Sequence, residues 1–155
     1  MIKILFVCHG NICRSPMGQM IFADMVKKRG VESAFVIDSA ATSTEEIGNG
    51  IYPPARQMLL SKGVPLIEHR AVQVRKEDYG KFDLFIAMDR WNISNMKRIF
   101  GGDPDNKIHL MMEYAGQLKE VDDPWFSGDF LTTYEDLNLA CQKLLDKLMK
   151  EHDLG

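Results

Sequence analysis

Apolar residues fall along this chain in two rhythms. Short, mostly apolar runs at Ile4 to Val7, Phe35 to Ile37, Phe82 to Met88 and Lys107 to Met111 read as buried strands. The stretches between and after them repeat apolar side chains at helical spacing: Met17 to Val26, Ala55 to Lys62, Trp91 to Phe100, and roughly Phe130 to Lys150. Gly63 and Gly101-Gly102 stand where two of these helices should stop. The last helix carries Tyr134, Leu137, Cys141, Leu144, Leu145 and Leu148 along one stripe. Strands alternating with helices predict an α/β single domain, with a parallel sheet covered by helices on both faces. Ligands bind such sheets beyond the carboxyl ends of the strands. Cys8 and Asp89 both fall there.

Composition narrows the function classes. The 155 residues suit one domain with one sizeable core. A net charge of -3 gives no footprint for nucleic acid or an anionic membrane surface. No apolar segment approaches bilayer length, so no membrane insertion is expected. The first apolar run is too short for a signal peptide and lacks a charged n-region. The three cysteines cannot all pair, and Cys8 and Cys13 lack the companions a zinc site needs. A reducing cytoplasm is the expected setting, with neither metal nor cofactor. The 10 methionines read as adaptable core filling.

The richest stretch is Val7-Cys8-His9-Gly10-Asn11-Ile12-Cys13-Arg14-Ser15-Pro16. Cys8 ends the first strand, and Arg14-Ser15-Pro16 opens a helix. Gly10 lets backbone approach a ligand closely. Loop amides and the helix N-terminus form a cradle for an oxyanion. The Arg14 fork can grip two oxygens. A thiolate at Cys8 could then attack a bound phosphoryl group. The bland alternative is a tight strand-to-helix turn around a buried cysteine.

This stretch resembles the signature of the low-molecular-weight protein tyrosine phosphatases. The resemblance continues through Asp38-Ser39-Ala40, Ala87-Met88-Asp89 and Asp123-Pro124, and so covers nearly the whole chain. It implies a phosphotyrosine protein phosphatase I-like fold with four parallel strands, in one domain over residues 1–155. It implies hydrolysis of phosphotyrosine and small aryl phosphates through a cysteinyl-phosphate. The expected partners are phosphotyrosine-containing proteins and phosphate or other oxyanions, with the protein acting as a monomer.

A phenolic leaving group has a pKa near ~10, so an acid must protonate it and then activate water. Asp123 is the candidate, in Val121-Asp122-Asp123-Pro124-Trp125-Phe126. Proline holds the residue before it extended, which fixes where the carboxyl points. Alone, Asp-Pro reads as a turn. Beside the Cys loop it resembles the family's Asp-Pro-Tyr-Tyr acid loop. Asp122 is the competing acid. Trp125 and Phe126 can wall a phenyl ring, with Ile12 near the floor.

Ser15 can donate its hydroxyl to Cys8, or cap the helix. Asn11 tolerates a left-handed backbone. The resemblance implies a network from Asn11 and Ser15 to His69. Asp89 reads first as a helix cap, and the family pattern Met-Asp-x-x-Asn, matched here by Met88, Asp89 and Asn92, implies a supporting role. His9 reads as a rim contact. Cys13 reads as a small buried residue, and the resemblance implies a reversible disulfide with Cys8.

Some positions depart from the family. Trp125-Phe126 replaces two tyrosines, so control by their phosphorylation is not available. The loop Thr42 to Gly48 lacks the aromatic residue often found near Glu45, and Glu45-Glu46 should lie at the mouth. Val72 replaces an arginine. Competing functions on the same scaffold are a thiol-dependent arsenate reductase, a protein-arginine phosphatase and a non-catalytic phosphate-binding module. Cys141 is a poor disulfide relay for the first. Arginine phosphatases have threonine where this loop has Ile12. The intact Cys8, Arg14 and Asp123 argue against the third.

Overall fold

A computed structural model describes residues 1–154. Strand β1 (Ile2–Cys8) organises the molecule. Its side chains alternate between two cores. Ile2, Ile4, Phe6 and Cys8 enter one, and Leu5 and Val7 enter the other. The further elements are α1 (Arg14–Lys28), β2 (Phe35–Ala41), α2 (Pro53–Ser61), β3 (Leu84–Ala87), α3 (Arg90–Phe100), β4 (Ile108–Leu110), α4 (Pro124–Ser127) and α5 (Phe130–Glu151). All strands run parallel in the order β2-β1-β3-β4. Residues of α1, α2 and α5 fill the first core, and Met96 and Phe100 of α3 fill the second. The expected α/β fold with helices on both faces is therefore found.

The strand order decides where a site can form. The chain leaves β1 to one side for β2 and returns on the other side as β3. Loops diverge at that reversal and leave a crevice at the carboxyl end of β1. Cys8 is the last residue of that strand.

Helix α1 lies unusually close to β1 because Gly18 has no side chain. A Cβ there would stand 3.1 Å from Phe6 Cδ1 and 3.4 Å from Met88 Cε. Phe6, Phe22 and Phe35 then form a row with ring centroids 5.9 and 5.5 Å apart. Truncating one of these buried rings to alanine costs about 3–5 kcal/mol.

The boundaries differ from the apolar pattern for identifiable reasons. β2 continues past Ser39 to Ala41, which lies opposite Cys8. Ser39 is polar yet buried, because its hydroxyl has partners inside. β3 is shorter than Phe82 to Met88. The Asp83 carboxylate accepts from the Lys3 N–H at 2.8 Å, and the Met88 N–H donates to the Asn92 side chain instead of the sheet. β4 gives way at Met111 to a short 3-10 turn. The four-residue α4 is too short to leave a periodic signal.

Candidate active site

The segment from Cys8 to Arg14 is held from outside by backbone bonds. Thr42 N–H donates to the Cys8 carbonyl at 2.9 Å, Ser43 N–H to His9 at 3.1 Å, and Tyr52 N–H to Ile12 at 2.9 Å. The turn itself depends on Asn11, whose φ is +59°. Gly10 is not among the residues with positive φ. A Cβ at Gly10 would meet Glu46 Cγ at 3.4 Å, an ordinary contact. Its expected closeness to a ligand is left as the reason for glycine.

Donors converge on the Cys8 sulfur. Ser15 Oγ lies 3.0 Å away, the Asn11 N–H donates at 3.3 Å, and the Ser15 N–H donates at 3.4 Å. The direction of the hydroxyl follows from its neighbours. Asn11 Oδ1 accepts from the Val72 N–H at 3.2 Å, so the Asn11 amide nitrogen faces inward. That NH₂ donates to Ser15 Oγ at 2.8 Å and to Ser39 Oγ at 3.0 Å. The Ser39 hydroxyl donates in turn to Gln19 Oε1. The Ser15 hydroxyl proton is thus free to point at sulfur. Ser15 does not cap α1, whose N-cap residue is Cys13 with no side-chain cap bond. His69 closes the network. Its Nε2 lies 2.6 Å from the Asn11 carbonyl, which can only accept, so Nε2 carries the proton.

Arg14 is 3% exposed and tightly anchored. Its Nη1 donates to Asp89 Oδ2 at 2.8 Å and to the Val121 carbonyl at 3.0 Å. Burial works against its charge, but the Cys8 sulfur and the Asp89 carboxylate outweigh burial and raise its pKa. Asp89 uses both carboxylate oxygens. Oδ1 caps α3 by accepting from the Asn92 N–H at 2.8 Å, while Oδ2 holds Arg14. Asn92 returns the cap, with Oδ1 accepting from the Asp89 N–H at 3.1 Å.

Asp123 caps the short helix α4, with Oδ1 accepting from the Trp125 N–H at 3.1 Å. Its Oδ2 stands 3.6 Å from Arg14 Nη2. A cleft of about 290 Å³ brings together Cys8, His9, Gly10, Ile12, Cys13, Arg14, Glu45, Glu46, Asp123, Trp125 and Phe126. Asp122 is not among them. His9 is half exposed, its ring 3.0 Å from the Glu45 carboxylate. Phe126 is 84% exposed and Trp125 50%.

Cys13 faces the cleft but is buried. Burial and the nearby Cys8 sulfur push its thiol up to about 12, so it stays protonated at neutral pH. Cys141 is fully buried on α5, 3.8 Å from the Gly18 carbonyl and away from the cleft.

Several residues escaped the sequence reading. Gln19 and Ser39 extend the buried network, and the Val121 carbonyl helps to hold Arg14. Tyr52 precedes α2 without a side-chain cap and packs on Trp125 instead, with centroids 4.7 Å apart. On its other side Tyr52 stacks on Phe130 at 6.1 Å. The only local signal was an aromatic residue directly before Pro53-Pro54.

The chain matches the family described as low molecular weight phosphotyrosine protein phosphatase over residues 3–154. It is 35% identical to the low molecular weight protein-tyrosine-phosphatase YfkJ of Bacillus subtilis, covering 99% of this chain and 100% of that one. The YfkJ crystal structure superposes with a TM-score of 0.94, covering 97% and 96% of the two chains. Identity to the low molecular weight phosphotyrosine protein phosphatase of Gallus gallus is 40%, covering 94% of each. A drosophila arginine phosphatase is 29% identical with a TM-score of 0.85, covering 95% of this chain and 98% of that one, so the fold alone does not choose the phosphorylated residue. The match from the first strand to the last helix places this chain in the low molecular weight phosphotyrosine protein phosphatase family.

Proposed function

We propose that the protein hydrolyses phosphotyrosine in two displacements at Cys8, with Arg14 as anion clamp and Asp123 as acid and then base. One observation carries the reading: the Cys8 sulfur, the Arg14 guanidinium and the Asp123 carboxylate share one cleft at the end of β1. Arg14 Nη1 is taken by Asp89 and Val121, so Nη2 and Nε are left for two phosphate oxygens. The Cys8 thiolate attacks phosphorus in line, and the bond to the tyrosyl oxygen breaks. Asp123 gives its proton to that oxygen. The Asp123 carboxylate then takes a proton from water, and the water oxygen attacks phosphorus. The sulfur–phosphorus bond breaks, which frees inorganic phosphate and restores the thiolate stabilised by Ser15 and the loop amides. Phosphotyrosine-containing proteins are the partners in this reading. The free thiols suit a reducing cytoplasm, and the protein acts there as a monomer.

A matched panel of phosphotyrosine, phosphoserine and phosphoarginine peptides tests the substrate. If Trp125 and Phe126 stand a phenyl ring's depth above the cradle, a phosphoserine side chain is too short to bring phosphorus to Cys8. Phosphotyrosine should dominate kcat/KM, Trp125→Ala should raise KM for aryl phosphates, and Ile12→Thr should shift activity toward phosphoarginine. Equal kcat/KM for phosphoserine and phosphotyrosine would refute the aromatic pocket.

Oxidation should be reversible through Cys13. Both thiols face one short loop, and a Cys8–Cys13 disulfide formed by peroxide, with loss of two electrons and two protons, would spare Cys8 from sulfinic acid. Peroxide should inactivate the enzyme and dithiothreitol restore it, with poorer recovery for Cys13→Ala. Equal recovery would remove Cys13 from that role.

A further inference from the structure

The geometry points to a second substrate groove beside the catalytic cleft, built to take an arginine side chain that flanks the phosphotyrosine. This rests on the phosphotyrosine reading and refines it. The groove is lined by Ile12, Glu46, Ile51, Tyr52, Pro53 and Trp125. Ile12, Glu46 and Trp125 also line the cleft, so the two share a wall, and a residue flanking a phosphotyrosine held at Cys8 would be within reach of the groove.

Charge distinguishes Glu46 from the other carboxylates around the site. Asp89 and Asp123 share Arg14, and Glu45 meets His9. Among the described residues, Glu46 has no cation within ion-pair distance, and its Oε2 accepts only from the Asn49 amide at 2.6 Å. That bond holds the carboxylate at the groove and leaves Oε1 for a ligand. Beside it stand two aromatic rings, and Trp125 is half exposed. One carboxylate next to aromatic faces and apolar walls matches a planar guanidinium on an aliphatic stem. A lysine ammonium could meet the charge but would forfeit the planar stacking. A purely apolar side chain would leave Glu46 without a cation.

The test is steady-state kcat/KM on phosphotyrosine peptides that carry arginine, its neutral isostere citrulline, or lysine at each position within two residues of the phosphotyrosine. Phenyl phosphate, which has no flanks, is the control. Arginine should exceed both citrulline and lysine by roughly 3- to 10-fold at one position, the range of a single partly exposed charged contact. Glu46→Gln should bring the arginine-to-citrulline ratio close to one. Ile51→Lys, which adds a cation inside the groove and outside the cleft, should do the same while phenyl phosphate turnover stays unchanged. Phenyl phosphate turnover with no arginine preference, or with an equal preference for arginine and lysine at every position, would overturn the groove. Failure to turn over phenyl phosphate as well would strike the phosphatase reading itself.

Discussion

Cys8→Ser is expected to lower kcat by on the order of 10⁴-fold or more, since removal of a nucleophile takes away a whole covalent pathway. The fold should survive. The side chain is small and buried at the end of β1, and serine offers an oxygen to the same three donors, the Asn11 N–H, the Ser15 N–H and the Ser15 hydroxyl. Arg14 keeps its anchors on Asp89 and Val121, so vanadate or phosphate binding should remain largely intact. A serine hydroxyl is a poor nucleophile without an adjacent base, and in the proposed mechanism Asp123 serves the leaving group. Thermal melting and vanadate titration check the fold and the cradle, and stopped assays check turnover. Normal turnover by the serine variant would remove Cys8 from the chemistry.

Asp123→Asn carries the second large effect. For phenolic leaving groups kcat should fall by roughly 10²–10⁴-fold, the usual contribution of a positioned general acid. The substitution isolates the proton. An asparagine oxygen can still accept from the Trp125 N–H, so α4 and its wall should stay in place. Arg14 loses one neighbour at 3.6 Å but keeps the shorter pair with Asp89 at 2.8 Å. The loss should shrink along a series of aryl phosphates as the leaving-group pKa falls, because weakly basic phenolates depart unaided. A uniform loss across the series would show that Asp123 does not donate the proton.

Much of this arrangement was legible in the residues. The strands and long helices follow from the apolar rhythm, because both faces of β1 are buried and α5 presents one stripe to the core. Cys8 and Arg14 belong to one short segment whose ends are fixed by a strand and a helix, so their meeting could be read locally. Asp123 could not be placed that way. Its approach to Arg14 depends on where the chain returns after β4. Gln19, Ser39 and Tyr52 were hidden for a different reason. Buried polar groups and an aromatic residue at a cap position break local rules, and their partners lie far off in sequence.

The covalent intermediate is the heart of the proposed mechanism, and mass spectrometry of the enzyme quenched during turnover tests it most directly. Asp123→Asn with an aryl phosphate of low leaving-group pKa is the best sample, because phosphoryl transfer to the enzyme stays fast while its hydrolysis loses the base. A single phosphoryl group should accumulate on the peptide that contains Cys8, and Cys8→Ser should carry none. Phosphate released with no enzyme-bound phosphoryl group, or a phosphoryl group on any other residue, would contradict the mechanism.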